Sequence, residues 1–593
     1  MQAQHYFSDL RDMHFNLFEF LDATRGGMDE DSIRSILVAI EKLASNEIAA
    51  SFADADRHPP TIGPDGTPIL PESLKKSIKA WQDGDWHRLA LREDMGGFGA
   101  PRTVAWAAFE LVVGANASAG FYVFDTFISG VIGDEGTPEQ RARFFPRYVD
   151  RRWGAAMVLT EPDAGSDVGS ARTLARHVEG DVWEIEGTKR FITSGDYDLP
   201  ENILHLVLAR PVGAKPGTKG LSMFIVPKYW VNEDGSLGER NGMRCIGIEK
   251  KMGIKASVTC EMAYGDGDTP CRGLLVGNTH DGIRQMFNVI EGARLAIGFK
   301  TMSEVSTAYF NALKYAKERI QGGDLAQATA KDSPRVPIIR HPDVRRMLMH
   351  LKAHVHGMRA LCYYVADMTQ QLQDARADKS LEHKVDLLLP LVKGYCSDKG
   401  YELLSTALQI FGGSGYVQDH PIEQYIRDQK IDTIYEGTTH IQALDLLFRK
   451  IMKDGGTTLR HLMGEIQATL EQKVGGEALE GARAGLARAL GDMQGIFMTL
   501  LGLVQKSVYH AGMQGNRVLF ALAETVIAWL LVRQAGVAVT KLPTAKGDDV
   551  AFYTGKIAAA KWFCREVLPG LTLTRKLVEQ SSIDIMDLPD QAF

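Results

Sequence analysis

The residues best suited to chemistry lie in Asp432-Thr-Ile-Tyr-Glu-Gly-Thr-Thr-His440, where Glu436 is followed by the breaker Gly437. Thr433, Ile434 and Tyr435 read as extended chain. Thr439 and Gln442 then have capping-box spacing ahead of an apolar run through Leu444, Leu446, Leu447 and Phe448. This pattern puts a carboxylate just before a helix N-terminus, beside backbone N–H groups that have no intrahelical partner. Proton abstraction next to a carbonyl needs that pairing: the donors hold the developing enolate oxygen while the carboxylate takes the proton. A surface Glu favoured by the helix dipole fits the same letters, so the motif decides nothing alone.

Three further segments carry small donors. TEPDAGSD (160–167) packs turn formers around Thr160 and Ser166, and can offer N–H groups and a hydroxyl to a phosphate or a flavin edge; a plain Pro-Asx turn reads equally well. FITSG (191–195) sets the Phe191 ring two residues before the Thr193 hydroxyl, on one side of a strand, with Ile192 between them. A flavin contact or a hairpin core explains that spacing. QIFGGSGY (409–416) follows Gln409 with Gly412 and Gly413, which allow close backbone approach to a ligand or end a helix. Other chemistries lack their signatures. No G-x-G has a third glycine at dinucleotide-fold spacing, the positions being Arg102, Pro270 and Gln418. In HLKAHVH (350–356), Leu351 stands where a zinc protease needs Glu, so a helix face of satisfied histidines is preferred to a metal site. GGSGY and AGSDVG both miss the serine-hydrolase elbow.

The elements that must position these residues fall into an order. Residues 1–150 read helical, interrupted by the Pro/Gly-rich loop 57–71. From about Trp153 to Gly277 come short β-rich runs at 157–160, 173–179, 182–193, 203–209, 221–227 and 258–265, without long helices between them, which predicts a small antiparallel barrel or sandwich. Long helices return at 281–318, 343–375, 384–411 and 438–452, and KDGGTT (453–458) leads into a final helical region. The expected division is 1–34 extension, 35–152 helical, 153–277 β, 278–452 helical bundle and 459–593 additional helical domain.

At 593 residues several cores are expected, and 45% hydrophobic with 24% charged residues is ordinary globular composition. The net charge of −7 and a tail from Arg460 with 14 basic against 13 acidic side chains argue against nucleic-acid binding. The N-terminus lacks a signal pattern, and the most apolar run, Val518 to Val532, contains Glu524 and is too short to span a bilayer. Six scattered Cys without CxxC pairing suit reduced thiols in a cytoplasm.

Taken in order, TEPDAGSD, KRFITSG, KERIQGG (317–323), QIFGGSGY and IYEGTTH resemble the acyl-CoA dehydrogenase family, across roughly residues 35–452. The flanking segments look like a long bacterial branch of it. The resemblance implies an α+β fold: an N-terminal α-helical domain, a middle β-barrel or sandwich, a C-terminal four-helix bundle and an extra C-terminal helical domain. It implies FAD as cofactor, Glu436 as the base, and an Glu436 N–H that grips the thioester carbonyl together with the flavin's ribityl 2′-hydroxyl. Thr160, Ser166, Phe191, Ile192 and Thr193 would contact the flavin or its pyrophosphate. Arg319 and Gln321 would reach the neighbouring subunit's FAD, lined also by Gln409, Gly412 and Gly413, with Thr438 at its pyrophosphate. Ser166, Glu291, Arg294 and Gly437 would meet substrate. Phe191 departs from the Trp of many members, and Gly322 from a Phe near the adenine. Ala293 occupies the place of a minority's catalytic Glu, so no rival base stands there.

The implied reaction is α,β-dehydrogenation of a medium- to long-chain acyl-CoA to the trans-2-enoyl-CoA, as at the start of fatty acid β-oxidation. Electrons would pass to electron-transfer flavoprotein, in a cytoplasmic homodimer without an integral membrane segment. A short substituted substrate such as 3-methylmercaptopropionyl-CoA is the alternative; a non-enzymatic FAD- or DNA-binding relative is a second. GANASAG (114–120) offers either a deep acyl tunnel or close helix packing.

Overall fold

The computed structural model describes residues 5–124, 126–327, 333–374 and 378–593; Met1 to Gln4 of the N-terminal reading and position 375 of the expected 343–375 helix lie outside them. The chain forms two compact units, Ser35–Ala293 and Met1–Arg34 with Arg294–Phe593.

In the first unit, helix Glu72–Asp83 buries Leu74, Ser77, Ile78 and Trp81, a stripe at helical spacing. Helix Arg102–Ala115 is buried almost all round, as its run of apolar and small residues requires. Helix Pro138–Asp150 opens with a complete Thr137/Gln140 capping box and Pro at its first turn. The GANASAG segment is a buried helix joint: Asn116 Oδ1 caps the N–H groups of Ser118 and Ala119, and a Cβ on Gly120 would come within 2.5 Å of Val113. Close packing accounts for its small residues.

An eight-stranded sheet follows: β1 Gly154–Val158, β2 Leu174–Glu179, β3 Val182–Thr193, β4 Ile203–Pro211, β5 Ser222–Pro227, β6 Met243–Ile248, β7 Thr259–Tyr264 and β8 Arg272–Leu275. Their order is β6-β7-β3-β8-β5-β4-β1, with β2 pairing both β3 and β4. The long β3 therefore bends between neighbours, its first half on β2 and β8 and its second half on β7. The expected all-antiparallel pattern needs correction, because β1 and β2 each run parallel to β4. No long helix is needed for those crossovers: β2 and β3 lie between β1 and β4 along the chain, and β3 lies between β2 and β4. The first strand also starts earlier than the run at 157–160 suggested. Phe144, Phe145, Tyr148 and Trp153 pack with Leu206, Met223, Ile225 and Leu274, joining helices and sheet in one core.

The second unit holds helices Pro342–Asp374, Lys379–Phe411 and most of Gly282–Glu318. The C-terminal region adds Thr457–Glu471, Glu480–Lys506, Tyr509–Lys541, Asp548–Trp562 and Pro569–Glu579. The apolar helix from Tyr509 is long enough to cross a membrane, but 83% of its most apolar window is buried within the fold. The N-terminal segment packs against this C-terminal region. Buried Asp12 pairs with Lys556 at 2.8 Å and Arg359 at 2.9 Å, Gln534 donates to Asn16 at 2.7 Å, and Phe15 packs edge-on against Phe552.

Candidate active site

The turn that carries Glu436 is built from buried charge. Lys300, on the long helix Gly282–Glu318, donates to both oxygens of Asp432 at 3.0 Å, to Glu304 at 3.1 Å and to the Asp428 carbonyl at 3.0 Å. Thr301 and Tyr435 also donate to Asp432, at 2.6 and 2.9 Å. Burial pushes the Glu304 carboxyl well above its usual range, while Asp432 and Glu304 hold the Lys300 ammonium up. This cluster draws Asp432 inward, and the chain responds by winding. Lys430–Thr433 is a 3-10 turn and Ile434 is helical, not extended as its β-branched letters suggested.

Winding delivers two successive left-handed residues, Glu436 at φ 55° and Gly437 at φ 83°. A side chain at Gly437 would meet the Gln442 amide at 2.9 Å, so the glycine serves conformation and space together. The following helix, Thr439–Leu444, is capped by Thr438, whose hydroxyl accepts from the Ile441 N–H; the cap lies one residue before the Thr439 expected. Gln442 makes no capping box. It reaches back and donates to the carbonyls of Glu436 and Gly437 at 3.0 and 3.1 Å. Lys393, from helix Lys379–Phe411, donates to the same Gly437 carbonyl at 2.5 Å.

Glu436 is half-buried. Desolvation raises its pKa, opposed first by Lys393 and then by Arg294. Arg294 is buried and pairs with Asp445 at 2.6 Å, while its Nε has no partner among the described residues. The backbone N–H of Glu436 likewise takes no hydrogen-bond partner among the described residues. A carboxylate with raised proton affinity thus stands beside a free main-chain donor, as enolate chemistry requires.

The first unit brings two of the small-donor segments together. The Arg190 N–H donates to the Thr160 carbonyl at 2.9 Å, so TEPDAGSD and KRFITSG adjoin. Buried Lys189 pins the loop, donating to the Leu159 carbonyl and pairing with Glu161, both at 2.9 Å. Glu161 in turn accepts from the N–H groups of Arg172 and Thr173. Phe191 sits in a bulge, at φ 61°, where β3 carries one residue more than β7. Its ring is 55% exposed, and the Arg190 guanidinium lies 4.8 Å above it. Ile192 is buried, Thr193 half-buried, and the buried Ser194 hydroxyl has no partner among the described residues. Thr160 is half-buried and Ser166 exposed; Glu291 is half-buried on its helix. An exposed ring, an accessible hydroxyl and an orphaned donor fit a flat polar-edged group such as a flavin.

In the second unit Arg319, Gln321, Gln409, Gly412 and Gly413 are all exposed, and Thr438 is half-buried. Tyr315 links the first pair to the glycines: its ring stacks on Phe411 at 4.5 Å and its hydroxyl donates to Ser414 at 3.2 Å. Side chains added at Gly412 or Gly413 would meet nothing within 4 Å, leaving an open surface. The histidines of HLKAHVH turn inward, with His354 Nδ1 bonded to the His350 carbonyl. His356, Asp9 and Asp12 bring ligand atoms within 4.8 Å of one another, but Asp12 is already paired with Lys556 and Arg359.

Sequence reasoning gave no role to Lys300, Asp432, Lys393, Asp445, Lys189 and Glu161, and read Gln442 as a capping residue only. One had a visible signal: Lys393 is a lone cation within the apolar run 387–396.

Known proteins share this build. Three family models match: acyl-CoA dehydrogenase, middle domain, over residues 156–266; acyl-CoA dehydrogenase, C-terminal domain, over 280–450; and acetyl-CoA dehydrogenase C-terminal like, over 462–589. The chain is 47% identical to the broad-specificity linear acyl-CoA dehydrogenase FadE5 of Mycobacterium tuberculosis, covering 99% of this chain and all of that one. It is 38% identical to the 3-methylmercaptopropionyl-CoA dehydrogenase of Ruegeria pomeroyi over 85% of both. The fold is similar to a crystal structure of an acyl-CoA dehydrogenase complexed with FAD from Bacillus anthracis, with a TM-score of 0.73 and 20% identity over 94% of this chain and 90% of that one. The chain belongs to the acyl-CoA dehydrogenase family of FAD-dependent oxidoreductases.

Proposed function

We propose that this enzyme dehydrogenates linear medium- to long-chain acyl-CoA thioesters to trans-2-enoyl-CoA, with Glu436 as the base. The observation that carries the base assignment is the half-buried Glu436 carboxylate with its own N–H unengaged, on a turn held by Lys393 and Gln442. The substrate class rests on the 47% identity to a broad-specificity linear acyl-CoA dehydrogenase.

Glu436 takes the α-proton. Its N–H donates to the thioester carbonyl as charge gathers there, and one such donor in a site closed to water is worth about 3 kcal/mol. Substrate that covers the half-buried carboxylate removes more water from it and raises its proton affinity further. Arg294, held by Asp445, lends a positive field to the developing enolate. Bound FAD supplies the acceptor for the β-hydride. Thr160, Ser166, Phe191, Ile192 and Thr193 would hold the isoalloxazine and pyrophosphate. Arg319, Gln321, Gln409, Gly412, Gly413 and Thr438 form a second cofactor-holding surface, matched to a partner subunit's FAD in a homodimer. Ser166, Glu291, Arg294 and Gly437 would line the substrate. We assign electron-transfer flavoprotein as electron acceptor and the cytoplasm as the compartment.

The 38% identity to a 3-methylmercaptopropionyl-CoA dehydrogenase favours one second reading, a short sulfur-containing substrate. Anaerobic mixing of the FAD-loaded enzyme with acyl-CoAs of graded length tests both. Glu436→Gln is expected to bind FAD and acyl-CoA but to bleach the flavin at least about 100-fold more slowly. Normal bleaching would remove the base assignment, and activity confined to short sulfur-bearing thioesters would replace the substrate class.

A further inference from the structure

Lys393 is fully buried, yet its ammonium makes a single hydrogen bond among the described residues, to the Gly437 carbonyl. A buried cation with two unused N–H groups is costly unless nearby charge compensates. The anionic groups that face it are Asp432 and Glu436 from the base turn and Asp398 from its own helix; the cationic one is Arg294 from the long helix. Asp432 is already engaged by Lys300, Thr301 and Tyr435, and Arg294 by Asp445. Among the described residues neither Glu436 nor Asp398 has such a partner, and of the two only Glu436 lies on the turn that Lys393 clamps.

We propose that Lys393 is a positioning residue for Glu436: its ammonium clamps the Gly437 carbonyl, and its charge keeps the neighbouring carboxylate ionised until substrate arrives. The inference rests on Glu436 being the base. Without a nearby cation, the desolvation that makes Glu436 a strong base would raise its proton affinity unopposed. An opposite charge within a few ångströms lowers a carboxylate pKa by about 1–3 units. Burial brings Lys393 itself down to about 8, so its charge persists through neutral pH.

Gln442 is the internal control. It clamps the Glu436 and Gly437 carbonyls with a neutral amide, so geometry and charge are separable. The experiment follows the rate of anaerobic flavin bleaching by a linear acyl-CoA against pH in the FAD-loaded protein. Lys393→Gln keeps a donor and loses the charge; its acid limb is expected to move up by about one pH unit or more. Gln442→Leu is expected to slow bleaching at every pH with the limb in place. Lys393→Met gives the same test if the glutamine variant does not fold. An unmoved limb in the Lys393 variants, or an equal shift in Gln442→Leu, overturns the proposal. Bleaching by Glu436→Gln would defeat the base assignment itself; an inactive Glu436→Gln with an unmoved Lys393 limb defeats only the role of Lys393.

Discussion

Two left-handed residues that are not glycine, Glu436 and Phe191, mark the two motif regions, and they are held in different ways. Glu436 is fixed by side chains remote in sequence: Lys393 and Gln442 on the carbonyl of the next residue, Lys300 on Asp432 four residues before. Phe191 is fixed by main-chain register, since one extra residue in β3 must go somewhere when Ile192 pairs with Cys260 and Lys189 with Met262. A turn held by ion pairs is sensitive to a single charge, because removing one partner strands the other in a low dielectric. A bulge held by a ladder tolerates changes of side chain, because the hydrogen bonds belong to the backbone.

The contrast breaks most visibly at Lys300. Lys300→Met leaves Asp432 buried without its cation and is expected to cost about 3–5 kcal/mol in denaturant unfolding, with bleaching impaired in whatever folds. A loss under about 1 kcal/mol would mean the turn is held by something else. Gly437→Ala comes next. Its Cβ would stand 2.9 Å from the Gln442 amide at a left-handed φ, so a cost of about 1–3 kcal/mol and slower flavin reduction are expected. Should crystals of that variant show Gln442 still bonded to both carbonyls, the amide clamp is less constrained than argued. The smallest effect belongs to the bulge. Phe191→Ala removes an exposed ring and is expected to change stability by no more than about 0.5 kcal/mol, while flavin affinity falls. A large loss of stability there would show that the ring, not the ladder, holds the bulge.

Much of the scaffold was legible. β3 spans 182–193 as its alternation and β-branched residues indicated, and the long helices lie within a few residues of expectation because their apolar spacing is dense. The cap at Thr438 and the wound Ile434 were not legible. Both follow from Lys300 pulling on Asp432 across 132 residues of chain, a contact no local pattern encodes. The parallel pairings of β1 and β2 with β4 were hidden for a similar reason: alternation reports which face is buried, not which way a neighbour runs.

The sequence by itself determined the chemistry on offer: a carboxylate before a helix start, small donors in fixed order, and a helical, β, helical succession, all written in residues close together in the chain. Tertiary structure decided whether that carboxylate is a usable base. Its desolvation, the cations Lys393 and Arg294 that oppose it, and the free N–H beside it depend on groups that meet only when the chain is folded. Electrostatic energy depends on distance in space, and spacing along the chain does not report that distance.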